Sequence, residues 1–65
     1  MKFENNLKTF RLKQKMTQDE LAEKSGVSRT TIVAIERGDA KVTKTDTLIK
    51  LATALNSSVK EIFFA

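Results

Sequence analysis

Two helix starts lie within a dozen residues of each other in the stretch TQDELAEKSGVSRTTIVAIERG, residues 17–38. Thr17 and Glu20 form a capping-box pattern, in which the hydroxyl accepts an amide hydrogen bond and the glutamate reaches back. Gly26 ends this first helix because glycine adopts the left-handed cap without strain, and Ser28 caps the next helix. Short helices joined by a three- or four-residue turn that contains glycine meet at roughly 90–120°. The stretch therefore predicts a corner made by two helices.

The second helix of this corner has two different faces. Val27, Ile32 and Ile35 are spaced to face inward and to hold the helix on a core. The opposite face then projects into solvent, and its residues are Arg29, Thr30, Val33, Ala34 and Arg37.

The remainder of the chain also predicts helix. The 65 residues contain no proline and only two glycines, which favours helical structure. We expect one all-α domain over residues 1–65, with its two-helix corner at 17–38. The five expected helices run over about residues 6–15, 18–25, 29–37, 46–55 and, after a second capping box that starts at Ser58, 59–63.

The distribution of charge favours a polyanionic partner. Twelve Lys and Arg against eight Asp and Glu give a net charge of +4. The excess is concentrated in residues 1–18 and 29–44. Basic domains of this kind bind nucleic acid; the alternative is that small domains often carry a few spare positive charges.

The composition disfavours other classes of function. The chain has no cysteine for a disulfide or a thiolate, and no histidine, the commonest general base and metal ligand. No apolar run approaches the roughly 20 residues that span a bilayer, and the first ten residues lack a signal-peptide core. The carboxylates show no metal-ligand spacing, and no nucleophile lies beside a base. We expect a cytoplasmic protein that is not an enzyme and that has no metal, cofactor, small-molecule ligand or membrane partner.

The chain resembles the Cro-type phage-repressor helix-turn-helix family, also called the XRE family, over residues 5–63. The matching segments are TQDELA (17–22), GVSRTTI (26–32), IERG (35–38), LATALN (51–56) and SVKEIF (58–63). The resemblance implies a lambda-repressor-like domain of five helices, with the helix-turn-helix at helices 2 and 3. It also implies a sequence-specific regulator of transcription that binds double-stranded DNA, most simply a repressor. One departure is Lys15, where the family often has glycine: lysine either adopts a costlier turn or lets helix 1 run on.

The resemblance assigns base reading to helix 3, which would lie in the major groove. Arg29 and Thr30 match the principal base-reading positions, and Val33 and Ala34 offer apolar contact, most plausibly to a thymine methyl. The fork of arginine suits guanine because it meets O6 and N7 together. Arg29 has a second interpretation as a surface residue, although a cation at a helix N-terminus opposes the helix dipole unless an anion is nearby.

Other positions are implied to contact phosphate or to support the fold. The implied phosphate contacts are Gln18, Ser28, Arg37, Lys41 and Lys44, and Arg37 is equally suited to capping the end of helix 3. Gln18 would also brace helix 3. Arg11 and Glu36 are implied to form a structural salt bridge between helices 1 and 3, which removes Arg11 from the DNA contacts.

The resemblance further implies a homodimer on a palindromic operator, with half-sites about 34–36 Å apart. We expect the dimer interface at the C-terminal end, at Ile62, Phe63 and Phe64. The alternative is that Ile62 and Phe63 close the core of the monomer, which leaves Phe64 as the better contact and Leu12 as a second.

A different class of function uses the same fold without DNA. The chain would then be a protein-interaction module or an antitoxin-type partner protein; stand-alone proteins of this kind also serve as antitoxins or restriction–modification controllers. DNA binding would be distinguished by a steep fall of affinity with salt.

Overall fold

The computed structural model describes residues 4–39 and 44–64. Within these residues the chain forms five helices: α1 (Leu7–Lys13), α2 (Gln18–Ser25), α3 (Arg29–Glu36), α4 (Thr45–Ala54) and α5 (Val59–Phe63). Helix α2 packs on α3 and α4, while α1 packs on α3 and α5. The expected all-α fold is confirmed, and the helix ends differ from the sequence expectations by one or two residues.

Side-chain caps determine where three of the helices begin. Thr17 Oγ1 accepts from the Glu20 amide at 3.0 Å, and Glu20 Oε1 accepts from the Thr17 amide at 2.8 Å. Ser58 and Glu61 form the same reciprocal pair at the start of α5. Ser28 Oγ accepts from the Thr31 amide at 3.2 Å and caps α3. Both predicted capping boxes and the Ser28 cap are therefore confirmed.

The capping box of α5 makes a predictable contribution to stability at acid pH. The hydrogen bonds that Glu61 accepts from Ser58, the backbone amide first, lower the pKa of this exposed carboxyl below its ordinary value. A lowered pKa in the folded state means that the contribution is complete above the ordinary pKa and is lost as pH falls through the lowered one. We expect the difference in unfolding free energy between the wild type and Glu61→Gln to shrink as pH falls through this range. Urea denaturation of both proteins at several acid pH values measures this difference; one that does not change with pH would contradict the assignment.

Backbone turns in the left-handed region separate the first three helices. Gly26 has φ +77° between α2 and α3, as predicted. Lys15 has φ +57°, so α1 ends at Lys13 and the chain takes the costlier turn instead of extending the helix. The Met16 amide then donates to the Arg11 carbonyl at 3.2 Å, which directs the chain into α2.

The core lies where the five helices meet. Its fully buried side chains are Leu7, Leu21, Ile32, Ile35, Leu51, Leu55 and Ile62. Val27 is also buried, and Ala22 packs against the core from the partly exposed side of α2. The predicted inward face of α3 is thus confirmed, and it leaves the opposite face of that helix toward solvent.

The C-terminal helix corrects one part of the predicted dimer interface. Ile62 is 0% exposed and Phe63 is 3% exposed, because α5 packs its apolar face on α4 and α1. These two side chains complete the core of the monomer and present almost no area to a second subunit. Phe64, at 65% exposure, is the residue of the predicted three that faces solvent.

Candidate nucleic-acid interface

The predicted base-reading residues share one open surface of the protein. A shallow concavity is lined by Arg29, Thr30, Val33, Ala34, Arg37 and Asp39. Arg29, Thr30 and Arg37 are exposed, while Val33 and Ala34 are half-buried. The surface therefore joins two cationic ends to a low apolar floor, a shape that a base edge or a methyl group can approach.

Asp39 lies on this surface although the sequence analysis did not single it out. Its amide donates to the Ala34 carbonyl at 2.9 Å, and the Gly38 amide donates to the Ile35 carbonyl at 3.0 Å. This is a Schellman cap, with Gly38 in the left-handed region at φ +88°. The cap folds the chain back on α3 and brings Asp39 beside the recognition residues. A glycine directly after a helix was the signal that predicts this return.

The predicted phosphate contacts lie at helix ends. Gln18 begins α2, Ser28 caps α3, Arg37 follows α3, and Lys44 precedes α4 with an exposed side chain. Lys41 lies outside the residues that the structure describes.

A second open groove adjoins the recognition surface. It runs between α1 and the start of α2, and its lining includes Lys8, Gln18, Asp19 and Arg29. Arg29 lines both this groove and the recognition concavity. The arginine therefore stands on the ridge between the two, with its side chain 61% exposed.

A buried polar network fixes the corner of α2 and α3 against α1. Arg11 Nε donates to Glu36 Oε2 at 2.7 Å, and its Nη2 donates to Glu36 Oε1 at 3.2 Å. The same Oε1 accepts from Gln18 Nε2 at 3.2 Å, and Arg11 Nη1 donates to the Met16 carbonyl at 2.7 Å. The two charged side chains are only 8% and 5% exposed. Arg11 is thus engaged inside the protein, and Gln18 braces the end of α3.

An exposed ion pair connects the two helices of the corner. Arg29 Nε lies 3.5 Å from Asp19 Oδ1 in the first turn of α2. Asp19 supplies the anion that a cation at the start of α3 needs beside the positive end of the helix dipole. The two arginines of this region therefore differ: Arg11 is enclosed by its partners, whereas Arg29 extends into solvent.

The described residues contain no cluster of three or more side chains able to hold a metal ion. Over the same residues, none of the helices has the length and apolar character needed to cross a membrane.

Two short helices at a glycine turn, with the second helix exposing basic and apolar side chains, define a helix-turn-helix DNA-binding domain. The model of the helix-turn-helix family HTH_3 matches residues 7–62. The chain belongs to this XRE-type family. It is accordingly a DNA-binding regulator of transcription, and its family is not one of enzymes.

Similar proteins include regulators from bacteria and archaea. The control protein C.SmaI of Serratia marcescens is 44% identical over 57 residues, which cover 88% of this chain and 67% of that protein. An uncharacterized HTH-type transcriptional regulator of Methanocaldococcus jannaschii is 50% identical over 48 residues, which cover 74% of this chain and 65% of that protein. The restriction–modification controller protein C.AhdI of Aeromonas hydrophila has a solved structure that superposes with a TM-score of 0.78 at 34% identity. The superposition covers 86% of this chain and 83% of C.AhdI. The chain thus spans about two thirds of the two sequence relatives.

Proposed function

We propose that the chain, as one helix-turn-helix domain, represses transcription by binding a palindromic operator as a homodimer, with α3 in the major groove. The observation that carries this proposal is the exposure of Arg29 and Thr30 at the start of α3, on the face opposite the buried Ile32 and Ile35. A recognition helix contacts base edges with its N-terminal residues, and these positions are the ones left open.

The proposed reading of bases follows from the chemistry of the surface. Arg29 donates to O6 and N7 of a guanine, and Thr30 offers its methyl to a thymine or its hydroxyl to another base. Val33 and Ala34 form the apolar floor, which suits the methyl group of thymine. Asp39, on the same surface, has the acceptor that matches the N4 amino group of cytosine.

The proposed phosphate contacts surround this reading surface. Lys44 and Arg37 carry exposed cationic side chains, and Ser28 lies at the positive end of α3. Gln18 presents its amide beside Glu36 and the α1–α2 groove. Lys41 remains a proposal from the sequence alone.

The proposed dimer uses the apolar side chains that the monomer leaves exposed. Phe64 is 65% exposed, and Leu12 and Ile49 are about half exposed. One recognition helix reads only a few base pairs, so a twofold dimer doubles the sequence that is read. We place Phe64 at the centre of the contact, because a buried aromatic side chain contributes most to such interfaces.

The relatives suggest a cellular setting. C.SmaI and C.AhdI are named as control proteins, the latter of a restriction–modification system. Control of such genes is therefore a second, narrower proposal for this chain, and it places the protein with its DNA in the cytoplasm. Enriched operators that match the sequence upstream of a restriction endonuclease gene would support it.

Selection of duplexes from a random library on the purified protein tests the proposed function. We expect a palindromic consensus with guanine at one position of each half-site. Arg29→Ala should weaken binding by about 1–3 kcal/mol and relax the preference at that base pair, because the arginine contacts one base. Binding is measured by fluorescence anisotropy at fixed salt. If no duplex is enriched, or if Arg29→Ala changes nothing, α3 is not the reading helix.

Lys44→Ala is the matched control for Arg29→Ala. Both variants remove one exposed cation, but Lys44 is proposed to contact a phosphate and not a base. We expect Lys44→Ala to weaken all duplexes about equally and to reduce the log–log salt slope by about 0.9. A change in base preference with Lys44→Ala would contradict this division of roles.

A further inference from the structure

We propose that Asp19 is a positioning residue for base recognition: it holds the Nε side of Arg29 and leaves the Nη1 and Nη2 edge for guanine. This inference rests on the proposed reading of DNA by Arg29. It assigns a specificity role to a residue of α2, outside the recognition helix.

The first support is the atom by which the pair forms. Asp19 Oδ1 lies 3.5 Å from Nε of Arg29, on the side of the guanidinium nearer the backbone. Guanidinium has five donors in a fixed planar fork, so one edge can face a carboxylate while another faces O6 and N7. The 61% exposure of the arginine side chain shows that the pairing does not enclose it.

The second support is the location of the pair in the fold. Arg29 stands on the ridge between the recognition concavity and the α1–α2 groove, and Asp19 lines only the groove. The carboxylate therefore approaches from behind the reading surface and does not occupy the space of a base. Asp19 is 74% exposed in its side chain, so the pair is weak in free solution and gains strength when DNA displaces the surrounding water.

The third support is electrostatic. A carboxylate beside a DNA backbone is repelled by the phosphates unless a cation stays with it. If Arg29 left Asp19 on binding, it would leave a bare anion at the interface. Sharing the guanidinium between Asp19 and guanine satisfies both acceptors, and it restricts the arginine before the duplex arrives.

The test compares Asp19→Asn with Glu23→Gln, which removes the same charge from an exposed residue one turn later on α2. Affinities are measured for the selected operator and for operators with each other base pair at the Arg29 position. We expect Asp19→Asn to reduce the preference for guanine by about three- to tenfold, within the roughly 5- to 150-fold discrimination of a bidentate contact. Glu23→Gln should alter affinity for all duplexes alike and leave the preference unchanged.

A double-mutant cycle shows whether Asp19 acts through the arginine. In an Arg29→Ala background, Asp19→Asn should leave the preference at that position unchanged, whereas Asp19→Glu in the wild-type background should retain most of it. Thermal unfolding of each variant separates these effects from loss of the fold.

Several outcomes overturn the inference. Asp19→Asn may raise the preference for guanine, which would make Asp19 a competitor that restrains Arg29. It may match Glu23→Gln, which would reduce its role to net charge, or its effect may persist without Arg29. The proposed function fails in a different way, through absence of an enriched duplex or an inert Arg29→Ala, and the positioning role fails with it.

Discussion

Replacing Glu36 with alanine should lower the free energy of unfolding by about 3–5 kcal/mol. The substitution leaves the guanidinium of Arg11, whose side chain is 8% exposed, with the Met16 carbonyl as its remaining printed acceptor within the described network. A domain of 65 residues has a total stability of roughly 3–10 kcal/mol, so much of the Glu36→Ala protein should be unfolded at ambient temperature. Urea denaturation followed by circular dichroism measures the change.

Two further variants separate the unpaired charge from the lost contacts. Glu36→Gln keeps the shape and one acceptor, and it should fall between the wild type and Glu36→Ala. The double variant Arg11→Met/Glu36→Leu removes both charges and should recover much of the lost stability, since apolar residues often replace a buried pair without penalty. A Glu36→Ala protein within about 1 kcal/mol of the wild type would show that the arginine is rehydrated at little cost.

The stability of this pair also bears on DNA binding. Glu36 Oε1 accepts from Gln18 as well as from Arg11, so the carboxylate ties α1, α2 and the end of α3 together. The angle at which α3 leaves the surface depends on this joint. A loss of operator affinity in Glu36 variants therefore has to be compared with their folded fraction before it is assigned to a DNA contact.

The helices were predictable because their signals are local. Thr17, Ser28 and Ser58 each place a hydroxyl at a helix start, and each caps its helix. Gly26 marks a left-handed turn by its lack of a side chain. Lys15 was not decided by the sequence, because its left-handed turn is fixed by the packing of α1 and α2 around it, which overrides the preference of lysine.

The candidate site was predictable in its sidedness but not in its pairing. The spacing of Ile32 and Ile35 determines which face of α3 is buried, and hence that Arg29 and Thr30 face outward. The partner of Arg29 depends on how α2 lies against α3, and sequence spacing does not give that geometry. Asp19, ten residues earlier in the chain, could be recognised only when the two helices were in place.

Phe63→Ala and Phe64→Ala should have opposite effects although the residues are adjacent. Phe63 is 3% exposed and lies in the core with Ile62, so its removal should destabilise the monomer by about 3–5 kcal/mol. Phe64 is 65% exposed, and its removal should change the stability of the monomer by no more than about 0.5 kcal/mol. Urea denaturation at low protein concentration measures both changes in the monomer.

The same pair of variants tests the proposed dimer. If Phe64 anchors the second subunit, Phe64→Ala should raise the dimer dissociation constant at least about tenfold, or ~1.4 kcal/mol, in sedimentation equilibrium. Operator affinity should fall with it, because two linked recognition helices bind one palindrome far more tightly than two separate ones. Leu12→Ala, which shortens another exposed apolar side chain, shows whether the loss is particular to the C-terminal end. An unchanged dissociation constant with Phe64→Ala and a raised one with Leu12→Ala would move the interface to α1.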